Sequence, residues 1–247
     1  MEGSMDLTGE RGGLCVIVPT RGRPDSVRQL VRKMALTRGM SSTRLVLVLD
    51  ANDPDAHQYH DVVAECWWVG LHVAPPDGRP GMVDPLNAMA RYLTTGATPW
   101  APEALMFMGD DHRPRTAGWD RQLLDAVTQP GRAIAYGNDG VHGAALPTQV
   151  VIRSSLVRAL GCMAPPVLQH LYVDNAWLAW GQQADCLTYL PEVLVEHMHP
   201  LVGKAPRDAG YDRVDALSGR DQHAWHAYEA GQLRTDVEII KGVMSGG

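Results

Sequence analysis

Short apolar runs of strand length alternate along this chain with stretches whose apolar residues recur every three or four positions. LCVIVP (14–19), RLVLVLD (44–50), WWVGLHVA (67–74), ALMFM (104–108) and RAIAYG (132–137) are continuous enough to be strands buried on both faces. Between them, Val27, Leu30, Val31 and Met34 form one helical face behind Pro24, a residue suited to a first helical turn. Asp53 and Pro54 open a second helix, and PPDGRPG (75–81) reads as a loop. Met82, Leu86, Met89, Ala90 and Leu93 mark a third helix, and Trp119, Leu123, Ala126 and Val127 a fourth. The second half is less regular. TQVVIRSS (148–155) predicts a strand running into a serine-capped helix, YVDNAWLAWG (172–181) a short helix, DCLTYLPEVLVEHMHP (185–200) two short strands, and DQHAWHAYEAGQL (221–233) a helix.

Strands alternating with helices predict an α/β fold: a mainly parallel central sheet flanked by helices, with a C-terminal helical extension. In such a sheet ligands bind beyond the carboxyl ends of the strands, where Asp50, Asp110 and Asp111 fall. The expected division is a disordered leader (1–13), a main domain (14–203) and an extension packed on it (204–247). With 247 residues and 45% hydrophobic content, the chain is long enough for one large core. A formal charge of -6 leaves room for a local basic patch but not for general attraction to polyanions. The four cysteines have no CxxC spacing and read as buried free thiols of a reducing compartment. No apolar stretch reaches the roughly 18–20 residues of a membrane span, and the first residues lack the layout of a signal peptide, so the expected setting is cytoplasmic.

Nucleotide-site signatures such as GxGxxG and GxxxxGK[ST] are absent, as is the GxSxG elbow. The chemistry therefore falls to FMGDDHRP (107–114), an apolar run that stops in two carboxylates. Asp110 and Asp111 at a strand tip suit Mn²⁺ or Mg²⁺, hard cations that take oxygen ligands, and equally suit a turn. His197 and His199 would point the same way in an extended VLVEHMHP segment, as metal ligands or as structural strand histidines. Asp174, held on a helix flank by Val173, Trp177 and Trp180, is mounted to accept a proton or to cap the helix. Arg21 and Arg23 after the first strand, and Arg113 and Arg115 after the aspartates, suit a phosphate or solvent alike.

The order of these features resembles GT-A fold glycosyltransferases, especially the family 2-like group, over about residues 14–200. IVPTRGRP, LVLD, GMVDPLNAMA, MFMGDDHRPRTAGWD, YVDNAWLAWG and VEHMHP carry the likeness. The resemblance implies a hexosyl- or pentosyltransferase that uses a nucleotide-sugar donor and Mn²⁺ or Mg²⁺. It implies nucleotide-sugar contacts at Pro19, Thr20, Arg21, Asp50, Gly81, Asn87 and Asp110, metal ligation by Asp111 with His197 and His199, and an inverting base at Asp174. The metal motif reads Gly109-Asp110-Asp111-His112 where an Asp-X-Asp is common, and Val173-Asp174 stands where a Glu-Asp pair is usual. Nucleotidylyl transfer and non-catalytic nucleotide-sugar binding are the competing readings. The acceptor is not legible. The compact build also resembles phage-encoded glycosyltransferases, which admits a hydroxymethylated DNA base as acceptor, in a host cytoplasm, and Arg113, Arg115, Arg207, Arg213 and Arg220 could supply a local patch for it.

Overall fold

The computed structural model describes residues 12–246 apart from 75–77, 97 and 99. The expected leader lies, for residues 1–11, outside the described residues, as does the first part of the 75–81 loop. The first half follows the apolar pattern: β1 (Leu14–Thr20), α1 (Pro24–Thr37), β2 (Arg44–Leu49), α2 (Ala56–Ala64), β3 (Val69–Val73), α3 (Val83–Thr94) and β4 (Ala104–Phe107). The strands are apolar without interruption because both faces are covered. Cys15 and Ile17 join one hydrophobic cluster with the helices on that side, while Leu14, Val16 and Val18 join the other. The same alternation divides Val46 and Val48 from Leu45, Leu47 and Leu49.

After β4 come β5 (His112–Pro114), α4 (Trp119–Thr128), β6 (Ile134–Asn138), β7 (Val150–Arg153), α5 (Ser154–Leu160), α6 (Val173–Gln183) and β8 (Leu187–His197). The sheet order is β3-β2-β1-β4-β7-β6-β8-β5. Pairing is parallel from β3 through β4 and again between β6 and β8, and antiparallel at β4–β7, β7–β6 and β8–β5, so the α/β sheet is mixed. Because β7 reverses direction and β6 reverses it back, the carboxyl ends of β1, β2, β4, β6 and β8 share one edge. The start of β7 lies on that edge too.

Three local expectations change. Where two strands were expected there is one, β8, whose register with β6 jumps from Gly137↔Leu190 to Asn138↔Leu194; the jump spans Pro191, which has no N–H for a ladder. The helix after β7 is not serine-capped: Arg153 stands at its cap, and the Ser154 hydroxyl donates to the Pro102 carbonyl instead. Asp53 does not open α2, which begins at Ala56; its carboxylate accepts from the backbone N–H groups of Gly22 and Asp55 and so ties the loop after β1 to the loop after β2. All four cysteines are free, with Cys15, Cys162 and Cys186 buried.

The tail forms α7 (Ala209–Asp215), α8 (Ser218–Ala230) and α9 (Gln232–Ser245). Trp225, Tyr228, Leu233, Val237 and Ile240 enter the same cluster as α3, α5 and α6. Trp180 Nε1 donates to the Tyr228 hydroxyl, which donates to Asp236. Asp221, fully buried, accepts from the backbone N–H groups of Gln169, His170 and Leu171 just before α6, and from Arg220. Among the described residues no helix is long and apolar enough to cross a membrane. Replacing Asp221→Asn keeps the volume but turns an amide N–H₂ towards those backbone donors. Urea denaturation is expected to register a loss on the order of 2 kcal/mol, and an unchanged midpoint would contradict this role.

Candidate metal centre and nucleotide edge

The shared edge collects residues far apart in sequence. Thr20 ends β1, Asp50 follows β2, Asp110 and Asp111 follow β4, Asp139 follows β6, and His197 ends β8. The chain turns back sharply after β4, so that the Gly109 N–H donates to His112 Nδ1 at 3.0 Å. A Cβ on Gly109 would stand 2.6 Å from an Asp111 oxygen and 2.9 Å from that nitrogen, so any larger residue there would displace the Asp111 carboxylate and the His112 ring.

The two aspartates face different partners. Asp110 is buried, accepts from the Thr20 hydroxyl at 2.6 Å and from Arg23 at 3.2 Å, and has its pKa raised to about 6 by burial and by the adjacent Asp111 charge. Asp111 turns to the histidines, with Oδ1 3.4 Å from His112 Nδ1 and Oδ2 3.4 Å from His197 Nε2. Burial would raise the Asp111 pKa, but His112 and His197, when protonated, outweigh it and hold the group well below the usual carboxylate range.

Asp111, His112 and His197 bring one potential ligand atom each within 4.8 Å of one another. His199, expected beside His197, is not in this group. The strand ends at His197, so the alternation of side chains stops there, and the His199 ring instead packs edge-on to His197 at 4.9 Å and to Tyr211 at 5.2 Å. His112 takes its place because β5 pairs with β8 in the register His112↔His197, which sets the rings face to face at 4.4 Å and 11°. One carboxylate with imidazole nitrogens beside it is a donor set that can hold a divalent cation. Ligand atoms about 2.1 Å from an octahedral ion stand about 3 Å apart, close to the Asp111–His197 separation. His197 Nδ1 is buried with no hydrogen-bond partner among the described residues, so the ring is held by a protein acceptor at Nε2 alone.

Three further residues close over the aspartates. Arg23 reaches Asp110, Asp111 at 4.0 Å and Asp208 at 2.7 Å. Burial alone would lower its pKa, but the Asp208 hydrogen bond and the three carboxylates raise it. The Tyr211 hydroxyl donates to Asp111 Oδ2 at 2.9 Å, and its ring lies 4.5 Å from the Arg23 guanidinium. Asp208, the N-cap of α7, and Tyr211 sit in a tail segment with no motif, so nothing local in the sequence marks them.

The other expected site residues divide. Pro19 precedes Thr20 on the site edge, and Arg21 bridges Asp50 at 3.0 Å and donates to Asn52. Asp174, in the first turn of α6, accepts from backbone N–H groups of its own helix start. Burial raises its pKa, while the backbone N–H groups of Asn175 and Asp174, and after them the charges of His142 and His197, pull it back. Tyr172 enters this helix at φ 64°, a left-handed conformation that is uncommon for a non-glycine residue. Gly81 and Asn87 are engaged in packing rather than turned to the edge. Gly81 has φ 103°, and a Cβ there would stand 2.2 Å from the Gln169 carbonyl oxygen. The buried Asn87 amide accepts from the Met163 and Ala164 N–H groups and donates to the Ala164 carbonyl.

No family model matches the sequence, and no curated protein sequence matches it. Solved structures do. A mannosyltransferase PcManGT from Pyrobaculum calidifontis in complex with GDP-Man and Mn²⁺ is 15% identical with a TM-score of 0.59, covering 99% of this chain and 79% of that one. Glucosyl-3-phosphoglycerate synthase from Mycobacterium tuberculosis, in complex with Mn²⁺, UDP and glucosyl-3-phosphoglycerate, is 13% identical with a TM-score of 0.60, covering 90% of this chain and 81% of that one. S. aureus TarS is 13% identical with a TM-score of 0.58; the match takes in 74% of this chain and 36% of TarS, or 59% of its 1–349 form. At these identities the likeness defines the fold, and the fold is GT-A.

Burial holds the His170 pKa near 4, below its ordinary 6.5, although Asp221 and Asp111 draw it upward. A group with a lowered folded pKa binds fewer protons folded than unfolded between those values, so stability is expected to fall as pH drops from 6.5 towards 4. His112 and His199, also lowered, act in the same sense. Thermal unfolding across that range should flatten in His170→Gln, and an unaltered slope would contradict the assignment.

Proposed function

We propose that this protein is a metal-dependent glycosyltransferase that moves a sugar from a nucleoside diphosphate sugar to an acceptor hydroxyl with inversion. The observation that carries the reading is the Asp111–His197 pair beside Asp110 on the carboxyl edge of a GT-A sheet. The likeness to proteins whose structures contain Mn²⁺ with GDP-Man or with UDP supports it.

In this reading Asp111 and His197 hold Mn²⁺ or Mg²⁺, with His199 one ring further out. When bound, the ion supplies positive charge to the leaving diphosphate. Thr20, Arg21 and Asp50 line the donor side, with Pro19 fixing the strand end and Asp110 holding Thr20 and Arg23 in position. Asp174 takes the proton of the acceptor hydroxyl as its oxygen bonds to the anomeric carbon and the bond from that carbon to the diphosphate oxygen breaks. Its raised pKa makes it a stronger base than an ordinary carboxylate. Residues 14–203 act as the catalytic unit, with 204–247 packed on it through α8 and α9, and the setting is the cytoplasm of a cell or of a phage host.

A hydroxymethylated DNA base is the narrower acceptor proposal. The five-arginine patch gives it little support, because Arg113 donates to carbonyls, Arg115 to Glu196, Arg207 to Asp212 and Asp215, and Arg220 to Asp221. The cleft beside Arg113 and Arg115 is the better cationic surface for such an acceptor, because Arg32 and Lys33 on its wall make no ion pair among the described residues.

A thermal-shift panel of UDP-, GDP-, CMP- and dTDP-sugars with and without Mn²⁺ tests the reading, since a ligand that binds only the folded state raises Tm. The expected result is a Mn²⁺-dependent rise with one nucleotide, abolished by Asp111→Asn. No rise with any donor would sink the transferase reading. A rise without sugar transfer or donor hydrolysis would favour a binding protein, and pyrophosphate release from a nucleoside triphosphate would favour nucleotidylyl transfer. Asp174→Asn is expected to keep the donor-induced rise and to lower turnover by about 10²-fold or more; full turnover would show that another group is the base.

A further inference from the structure

The candidate centre has a second layer that the reaction scheme does not use. Asp139, 1% exposed at the end of β6, accepts through Oδ1 from the N–H groups of Val141, His142 and Gly143, and through Oδ2 from His142 Nδ1 at 2.9 Å and the Thr148 hydroxyl at 3.1 Å. Those donors hold its pKa well below the usual range against the effect of burial. The Thr148 proton is thus committed to Asp139, and its oxygen stands 3.4 Å from His112 Nε2. On the other side of the ring, Nδ1 accepts from the Gly109 N–H at 3.0 Å, closer than Asp111 Oδ1 at 3.4 Å. With an acceptor role at Nδ1, the neutral imidazole carries its proton on Nε2 and donates to Thr148. Both nitrogens of His112 are therefore occupied by protein hydrogen bonds, whereas His197 Nδ1 has none among the described residues.

We propose that Thr148, backed by Asp139, is a positioning residue for the metal centre: it locks His112 as a fixed plate on which the His197 ring stacks, so that His197 and Asp111 are the pair that binds the cation. Hydrogen bonds made directly to a metal ligand are worth about 10–100-fold in metal affinity; Thr148 acts one residue further out, through His112, so its loss is expected at the lower end of that range. The assignment makes His112 a support for the site and excludes it as a ligand while Gly109 and Thr148 hold it. The geometry spans three separate segments, the turn after β4, the end of β6 and the start of β7, which is more than a local turn requires. The inference rests on the metal reading above.

The test compares Thr148→Val with Thr148→Ser in the full chain, titrated with Mn²⁺ alone and followed by the electron paramagnetic resonance of the free ion. Thr148→Val is expected to lower Mn²⁺ affinity by about 10-fold or more, and Thr148→Ser, which restores the hydroxyl, to stay within about threefold of the parent. The ¹⁵N resonances of His112 should report the Nε2–H tautomer in the parent and in Thr148→Ser, and a tautomer mixture in Thr148→Val. Equal affinity in Thr148→Val and parent, or equal loss in both variants, overturns the positioning role. Absence of Mn²⁺ binding by the parent overturns the metal reading itself, and this inference with it.

Discussion

The short ladder that lays His112, Arg113 and Pro114 against His197, Glu196 and Val195 holds the centre together. Residues directly opposite in an antiparallel pair project to the same side, so the register alone brings two imidazoles face to face over one carboxylate. A shift of one residue would turn His112 to the opposite face and replace it with Arg113 or the preceding aspartate. The ladder is fastened at both ends. Arg113 donates to the carbonyls of Asp110 and His112, and Arg115 pairs with Glu196, which also meets Lys204. The arginines around Pro114 therefore serve first as braces for the turn that presents the aspartates.

Charge governs the rest of the edge. Asp110, Asp111 and Asp208 converge, and their mutual repulsion is offset by the Arg23 guanidinium, which touches all three. Tyr211 adds a hydrogen bond to Asp111 and a ring face to Arg23. The C-terminal segment thus takes part in the electrostatics of the centre as well as in packing. Its anchorage through Asp221 to residues 169–171 also sets where α6 begins, and with it the carboxylate of Asp174. Tail, α6 and the turn after β4 form one mechanical unit, with the carboxylates of Asp110, Asp111 and Asp221 as the fasteners. Each of those carboxylates is satisfied by several donors, the condition under which burying a charge is tolerated.

Much of the fold was legible in the sequence because both-face burial demands uninterrupted apolar strands and one-face burial demands helical spacing, and β1 to β4 with α1 and α3 obey these rules closely. The same logic put Asp50, Asp110 and Asp111 at strand ends. It could not indicate β5, since three residues reading His-Arg-Pro carry no periodicity, nor the length of β8, since Pro191 reads as a break. It paired His197 with His199 by alternation, which holds only while the strand lasts. Gly81 and Asn87 sat in a motif that resembles a donor site, yet each makes backbone contacts with distant segments that no local pattern encodes.

What the sequence determined by itself was the class of the fold and the edge at which chemistry gathers, because those follow from local hydrophobicity and the direction of parallel strands. What the tertiary structure decided was which side chains meet there. His112 reaches His197 only when β8 returns to the sheet and Tyr211 reaches Asp111 only when the tail does, while Asp139 reaches His112 through Thr148 and Arg23 reaches Asp111 across separate strand ends. Such meetings depend on strand register and on where a long chain closes back upon itself, and neither quantity is written in the spacing of neighbouring residues.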